Sequence, residues 1–268
     1  MKNPNSKSLS FSLFALISIV PVQAATIVAQ WNFNDSGNAT TAVANVGGFV
    51  GTLENTAART AAGGGRTGAA TDFAYTPGTN TGRMNSSTAG FLTALNSTTA
   101  TQAISFSYWQ NLGATPGSTA FWANSPGATG GNRGLSAHSP WSDGNTYFDT
   151  SGCCGAPNRV SGALGATVGT WQLMSYVYDN GNKSVYRGTT LITSGTAAAP
   201  LFTNIDAFYV GNAANGTEGM NARIDEFTVW RGALTLAEIT NLVPEPSGGV
   251  MGLLAVLGTT LRRRRSKI

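Results

Sequence analysis

Apolar and polar residues alternate with period two in several short runs, each closed by Gly, Asn, Asp or Ser, the pattern of half-buried strands and tight turns. The run at 26–33 puts Ile27, Ala29, Trp31 and Phe33 on one face. A second run, 103–109, carries Ile104, Phe106 and Tyr108, and Phe121-Trp122 begins a third. Residues 171–178 are apolar on both faces, which predicts a central strand. Asp179-Asn180-Gly181-Asn182 then predicts a hairpin turn, because Asn-Gly tolerates the positive φ that such turns require. Strand pattern resumes at 183–187, 191–192 and 208–210. Residues 40–85 are mostly Gly, Ala, Thr and Asn, which predicts loops and short edge strands. The clearest stretch comes last. Residues 223–230 alternate as a strand with Phe227 and Val229 on one face and Ile224, Thr228 and Trp230 on the other. Gly232 ends it, and Thr235 stands three residues before Glu238, a capping-box spacing that predicts a short helix docking Leu236 and Ile239.

The two ends follow different rules. Lys2 and Lys7 precede an apolar run at 9–20, too short for a comfortable membrane span, and Val22-Gln23-Ala24 supplies the small residues that signal peptidase needs. Residues 1–24 therefore predict an export signal, with the mature chain starting at Ala25; an uncleaved anchor is the alternative. At the other end, Pro244-Glu245-Pro246 is followed by an apolar run at 248–261 and by Arg262, Arg263, Arg264 and Arg265. The prolines stop the helix, and the arginines hold that end on the cytoplasmic side of a membrane.

Charge changes the picture once these ends are set aside. The whole chain has a formal charge of +4. Residues 25–246 hold nine basic side chains against twelve acidic ones, a net of −3, with no basic run, so nucleic acid is not an expected partner. Thirty-four glycines and only 10% charged residues agree with short strands and polar turns. No internal repeat or linker divides residues 25–242, and one domain is expected. The two cysteines, Cys153 and Cys154, are adjacent and flanked by glycines. In an oxidising compartment a vicinal disulfide is the favoured state, with free thiols or bonds to another chain as alternatives.

The phrases around Ile104 to Trp109, Trp171 to Tyr178, Asp179-Asn180-Gly181, Val185 to Gly188 and Ile224 to Ile239 resemble laminin-G-like (concanavalin A-like) domains. That resemblance implies an all-β, two-sheet antiparallel β-sandwich over residues 25–242. The last two dozen residues resemble a PEP-CTERM sorting signal: the Pro244-Glu245-Pro246 triplet, the hydrophobic helix 248–261 and the basic cluster 262–265, within a tail of 243–268. The resemblance implies cleavage by an exosortase-like membrane protease and release to the envelope, surface or extracellular matrix. An ordinary tail anchor is the alternative.

Candidate chemistry is densest between His138 and Arg159. Trp141, Asp143, Tyr147, Asp149 and Arg159 combine rings, carboxylates and a guanidinium, as a sugar site requires, and the Cys153–Cys154 pair would add a rigid platform. The bland alternative places Trp141, Tyr147 and Phe148 in the core, makes Asp143-Gly144 a turn and pairs Asp149 with Arg159. Asp225, on the face of Phe227 and Val229, needs a partner; calcium held with Asp35 or the Asn34 carbonyl is one solution, and an ion pair with Arg223 is the other. The paired carboxylates of sandwich glycosidases, Glu-x-Asp-x-x-Glu, are incomplete at 223–228, and His138, the only histidine, is expected to be solvated or to cap a turn. The sequence thus predicts an exported, non-enzymatic surface or matrix protein that binds carbohydrate or protein. A purely structural matrix component and a divergent glycosidase are the rivals.

Overall fold

Period-two alternation broken by glycine and asparagine turns gives sixteen strands, two helices and a four-residue helical turn at Thr129–Asn132 in this computed structural model, which describes residues 24–35, 39–78, 81–197 and 199–243. Residues 1–23 of the expected 1–24 export signal, and the expected sorting tail from Pro244 onward with the 248–261 run and Arg262 to Arg265, lie outside the described residues. Among the described residues no helix is long and apolar enough to cross a membrane.

The strands are β1 (Thr26–Trp31), β2 (Thr41–Val43), β3 (Val50–Glu54), β4 (Ala58–Arg59), β5 (Tyr75–Thr76) and β6 (Arg83–Asn85), then β7 (Ala103–Leu112) and β8 (Thr119–Asn124). They continue with β9 (Arg133–His138), β10 (Asn145–Thr150), β11 (Arg159–Ala163), β12 (Trp171–Asp179), β13 (Asn182–Arg187), β14 (Thr190–Thr196), β15 (Ala207–Val210) and β16 (Ala222–Arg231). Helix α1 (Ala89–Thr99) lies between β6 and β7, and α2 (Leu236–Leu242) follows β16. Two eight-stranded sheets result. The first runs β14-β13-β12-β7-β16-β5-β4, with β1 also on β16; the second runs β11-β10-β9-β8-β15-β6-β3-β2. Every ladder between these strands is antiparallel.

Local signals are realised where they were strong. β12 lies between β7 and β13 in the first sheet, as its two apolar faces require. The β12–β13 turn places Asn180 at φ 44° and Gly181 at φ 89°, the two consecutive left-handed residues of a type I′ hairpin. The strands between residues 40 and 85 are short, two to five residues each.

The facing inner sides form an aromatic core. Phe106 stacks on Phe121 at 4.2 Å, and Phe208, Phe227, Tyr108 and Tyr176 surround them. Helix α1, absent from the sequence reading, drives Phe91 edge-on into Trp31 at 5.4 Å and closes one side of the core. Its Thr- and Asn-rich sequence has weak helical propensity and no side-chain cap, so burial of Phe91 and Leu95 holds it.

Two features of β16 and its sequel differ from expectation. The register of β16 on β7 shifts between Asp225 and Thr228, and Glu226 sits at φ 51°, a β-bulge. One extra residue resets the alternation, so Ile224, Phe227 and Val229 all enter the core, while Asp225, Thr228 and Trp230 face outward. Asp225 therefore does not share a face with Phe227 and Val229. The capping box forms as expected: Thr235 Oγ1 accepts from Glu238 N–H at 3.2 Å, and Glu238 Oε2 accepts from Thr235 N–H at 2.7 Å. Ile239 docks beside Val177 and Leu234 on the outer face of the first sheet. Leu236 does not dock; it is 52% exposed, because the first helical turn points it away from that cluster.

Candidate functional site

In the second sheet, Phe121, Leu135, Ala137, Phe148 and Phe208 point into the core. Their chain neighbours must therefore point to the outer face. Register aligns these neighbours into one transverse row: Thr52, Asn85, Tyr209, Trp122, Ser136, Asp149 and Arg159. At the usual inter-strand spacing the row is about 29 Å long. A second row beside it holds Thr119, His138, Tyr147 and Ser161.

Three aromatic rings on this face are each covered by an arginine. The Cζ of Arg83 lies 4.0 Å from the Tyr209 ring centre, that of Arg133 4.3 Å from Trp122, and that of Arg159 4.3 Å from Tyr147. Such stacks fix the guanidinium planes and leave their edges to donate hydrogen bonds. Carboxylates hold the arginines from the side. Glu54 binds Arg83 Nε at 2.7 Å. Asp149, 0% exposed, accepts from Arg133 Nη1 at 2.6 Å and from Arg159 through Nε at 2.6 Å and Nη2 at 2.7 Å. The Asp149–Arg159 pair weighed from the sequence is thus present, joined by an arginine that the sequence did not point to.

His138 is buried, not solvated. Arg133 Nη1 stands 3.3 Å from its Nε2, and because a guanidinium cannot accept, Nε2 is the acceptor and Nδ1 carries the proton. Nδ1–H then donates to Thr119 Oγ1 at 3.0 Å, whose hydroxyl donates to Glu218 at 2.7 Å. Burial first, then the Arg133 charge, pushes the imidazole pKa down to about 3, so it is neutral. Its 3.9 Å approaches to Asp149 and Glu218 are consequently not ion pairs.

The remaining sequence candidates border this face. Trp141 packs edge-on against His138 at 4.7 Å and is partly exposed; Tyr147 is also partly exposed, while Phe148 is core. Asp143-Gly144 forms a turn, with Gly144 at φ 81°. The Asp143 carboxylate accepts from the Tyr147 hydroxyl and from Asn145 N–H, which lowers its pKa, while the same bond raises that of Tyr147. Cys153 and Cys154 are joined to each other in the loop between β10 and β11. Gly130, in the turn at Thr129–Asn132, passes so close that a Cβ there would lie 2.4 Å from Cys153 Sγ.

Asp35 and Asp225, the residues considered for calcium, each have protein partners. Asp35 is taken by Arg59 at 2.7 Å and by Val43 N–H at 2.9 Å. Asp225 lies beneath the 64–66 loop on the other sheet's outer face. Its Oδ2 accepts from Arg66 N–H at 2.9 Å and its Oδ1 from Glu226 N–H at 2.7 Å. Among the described residues no group of three His, Cys, Asp or Glu side chains could hold a metal. Arg223 is not its partner either; it reaches the Gly64 carbonyl and lies over Trp171. Burial raises the Asp225 pKa to about 7, against the two backbone donors. Glu226 pairs with Arg66 at 3.0 Å.

Comparison with solved structures finds the same two-sheet fold elsewhere. Domain 4 of AbnA, a GH43 extracellular arabinanase from Geobacillus stearothermophilus solved with arabinotriose, superposes with a TM-score of 0.59 at 21% identity, covering 83% of this chain and 100% of that one. Trypanosoma rangeli sialidase, in complex with 2,3-difluoro-KDN, superposes with a TM-score of 0.58 at 14% identity, covering 81% of this chain but 32% of the sialidase. At these identities the likeness establishes the fold. No curated protein matches the sequence. The expectation of a non-enzymatic surface protein is overturned here, since both neighbours are parts of glycosidases, and the divergent-glycosidase alternative agrees with them better. Residues 85–240, more than half of the chain, match the family described as the concanavalin A-like lectin/glucanases superfamily, and the chain belongs to it.

Proposed function

We propose that this protein acts in glycoside processing, with the outer face of the second sheet holding a polysaccharide chain. The observation that carries the reading is the set of partly exposed side chains along this face, Tyr209 with Arg83, Tyr147 with Arg159, and Trp141, held in place by the buried Trp122, Arg133 and Asp149 behind them. Fixed guanidinium edges donate to sugar hydroxyls, and the partly exposed ring of Trp141 offers flat apolar surface to sugar faces. The test is titration of the full-length protein with arabinan, xylan and pectic oligosaccharides. Saturable binding that Trp141→Ala weakens at least about fivefold, with an unchanged melting temperature, supports the reading. No binding to any of them rejects it.

A second reading, hydrolysis by this domain itself, is favoured by one observation. Asp225, whose pKa burial raises to about 7, adjoins Glu226 in the chain, and glycoside cleavage uses a pair of carboxyl groups. Asp225 is only 1% exposed, so substrate would have to displace the 64–66 loop. Release of reducing ends by the wild type, abolished in Asp225→Asn and Glu226→Gln, would support it; no release by the wild type would exclude it. Export through the 1–24 segment and sorting of the 243–268 tail to the envelope or matrix belong to the same proposal, supported by those sequences alone. Mass spectrometry of the secreted protein's two ends tests them.

A further inference from the structure

Asp149 is one carboxylate surrounded by cations. Arg133 and Arg159 bind it directly. The buried ammonium of Lys183, which donates to the Pro157 carbonyl at 3.0 Å, is close enough to feel both Asp149 and Arg159. Burial and the Arg159 charge lower the Lys183 pKa to about 8, partly offset by Asp149, which leaves it charged at neutral pH. His138 adds no charge. Of the nearby acids, Glu218 accepts from the Thr119 hydroxyl, and Asp143, which accepts from Tyr147 and Asn145, also acts electrostatically on Arg159. Arg133 and Arg159 thus share one carboxylate in direct contact, with Lys183 acting on the same group from farther off, so a second anion arriving at Arg159 gains charge-assisted hydrogen bonds there.

Donors for that anion are present. Arg159 uses Nε and Nη2 on Asp149, and its Nη1 has no partner among the described residues. Arg133 is buried behind it and supplies positive charge, not an accessible donor. Arg159 is 22% exposed, so the free edge of its guanidinium reaches solvent at the end of the row, held in orientation by the Tyr147 ring.

We infer that Arg159, backed by Arg133 and Lys183, forms a subsite for the carboxylate of an acidic, uronic-acid-containing glycan. The inference rests on the glycan reading of this face and specifies which class of chain the face prefers. A planar carboxylate matches the guanidinium edge, whereas a neutral sugar leaves the positive charge uncompensated.

The test uses the full-length protein with three probes: tri-galacturonate, its methyl ester and neutral arabinotriose. The free acid should bind at least about tenfold more tightly than the ester at low salt, and the advantage should shrink as salt is raised. Arg159→Gln should reduce the acid to the level of the ester, and Arg159→Lys should restore part of the difference. If Arg159→Gln fails to fold, the acid-to-ester ratio on the wild type still decides. Equal binding of acid and ester would overturn the subsite while leaving the glycan face intact. Binding of none of the three would reject the glycan reading itself. A sulfated oligosaccharide that bound where tri-galacturonate did not would overturn the carboxylate assignment.

Discussion

His138 and Asp225 set up opposing proton linkages that a stability measurement can separate. Asp225 has its pKa raised from 3.8 to about 7 on folding, so between these values the folded chain holds a proton that the unfolded chain has lost. Its contribution to stability is complete below pH 3.8 and falls as pH rises toward 7. His138 does the reverse. Its pKa is lowered from 6.5 to about 3, so between these values the unfolded chain binds the proton, and stability rises with pH. Each slope is about 1.4 kcal/mol per pH unit, and they cancel between roughly pH 4 and pH 6.5. Urea unfolding from about pH 4.8 to about pH 6.3 should therefore give a nearly flat wild-type profile, while single variants should tilt by roughly 2 kcal/mol in opposite directions. Asp225→Asn removes the falling arm, so its stability should rise with pH; His138→Gln removes the rising arm, and its stability should fall. Loss of one acceptor in Asp225→Asn adds a pH-independent cost of about 1–3 kcal/mol, which moves the curve without changing its slope. A flat profile for Asp225→Asn would refute the neutral imidazole, and a flat profile for His138→Gln would refute the protonated carboxyl.

The bulge and the cap give two further tests, both read by denaturant or thermal unfolding. Glu226 occupies left-handed space, which costs a non-glycine residue about 1–2 kcal/mol. Its pair with Arg66 is half-exposed and worth less than about 1 kcal/mol. Glu226→Gly should be no less stable than the wild type and Glu226→Val about 2 kcal/mol less stable; equal stability of the valine variant would remove the case for a left-handed bulge. Thr235→Ala should cost about 1 kcal/mol through loss of the α2 cap, and an unchanged melting temperature would show that the capping box is dispensable.

Legibility of the fold depended on how local the cause was. The Asn180-Gly181 turn, the Thr235–Glu238 box and the doubly apolar β12 are each specified within a few residues, and all three appear as read. Helix α1 was illegible because its residues do not favour a helix on their own; the contacts of Phe91 with Trp31 and Phe208 impose it. The bulge at Glu226 has no compositional mark, yet it moved Asp225 to the opposite face from the one that alternation assigns. The site was legible only in part. Residues 141–159 could be singled out because their chemistry is contiguous. Trp122, Arg133, Tyr209 and Arg83 come from strands far apart in the chain, and only the order of the second sheet brings them into line.

The Glu238 carboxylate that completes the α2 cap also accepts from Ala25 N–H at 3.0 Å through its other oxygen. Ala25 and Leu242 share the small cluster beneath α2, on the outer face of the first sheet. The arginine-covered face belongs to the other sheet and points the opposite way. Whatever joins the domain at either end is therefore attached from behind, like a handle on the back of a mirror. A protein immobilised through either terminus should present Arg83 and Arg159 toward solvent, free to meet chains that the support does not carry.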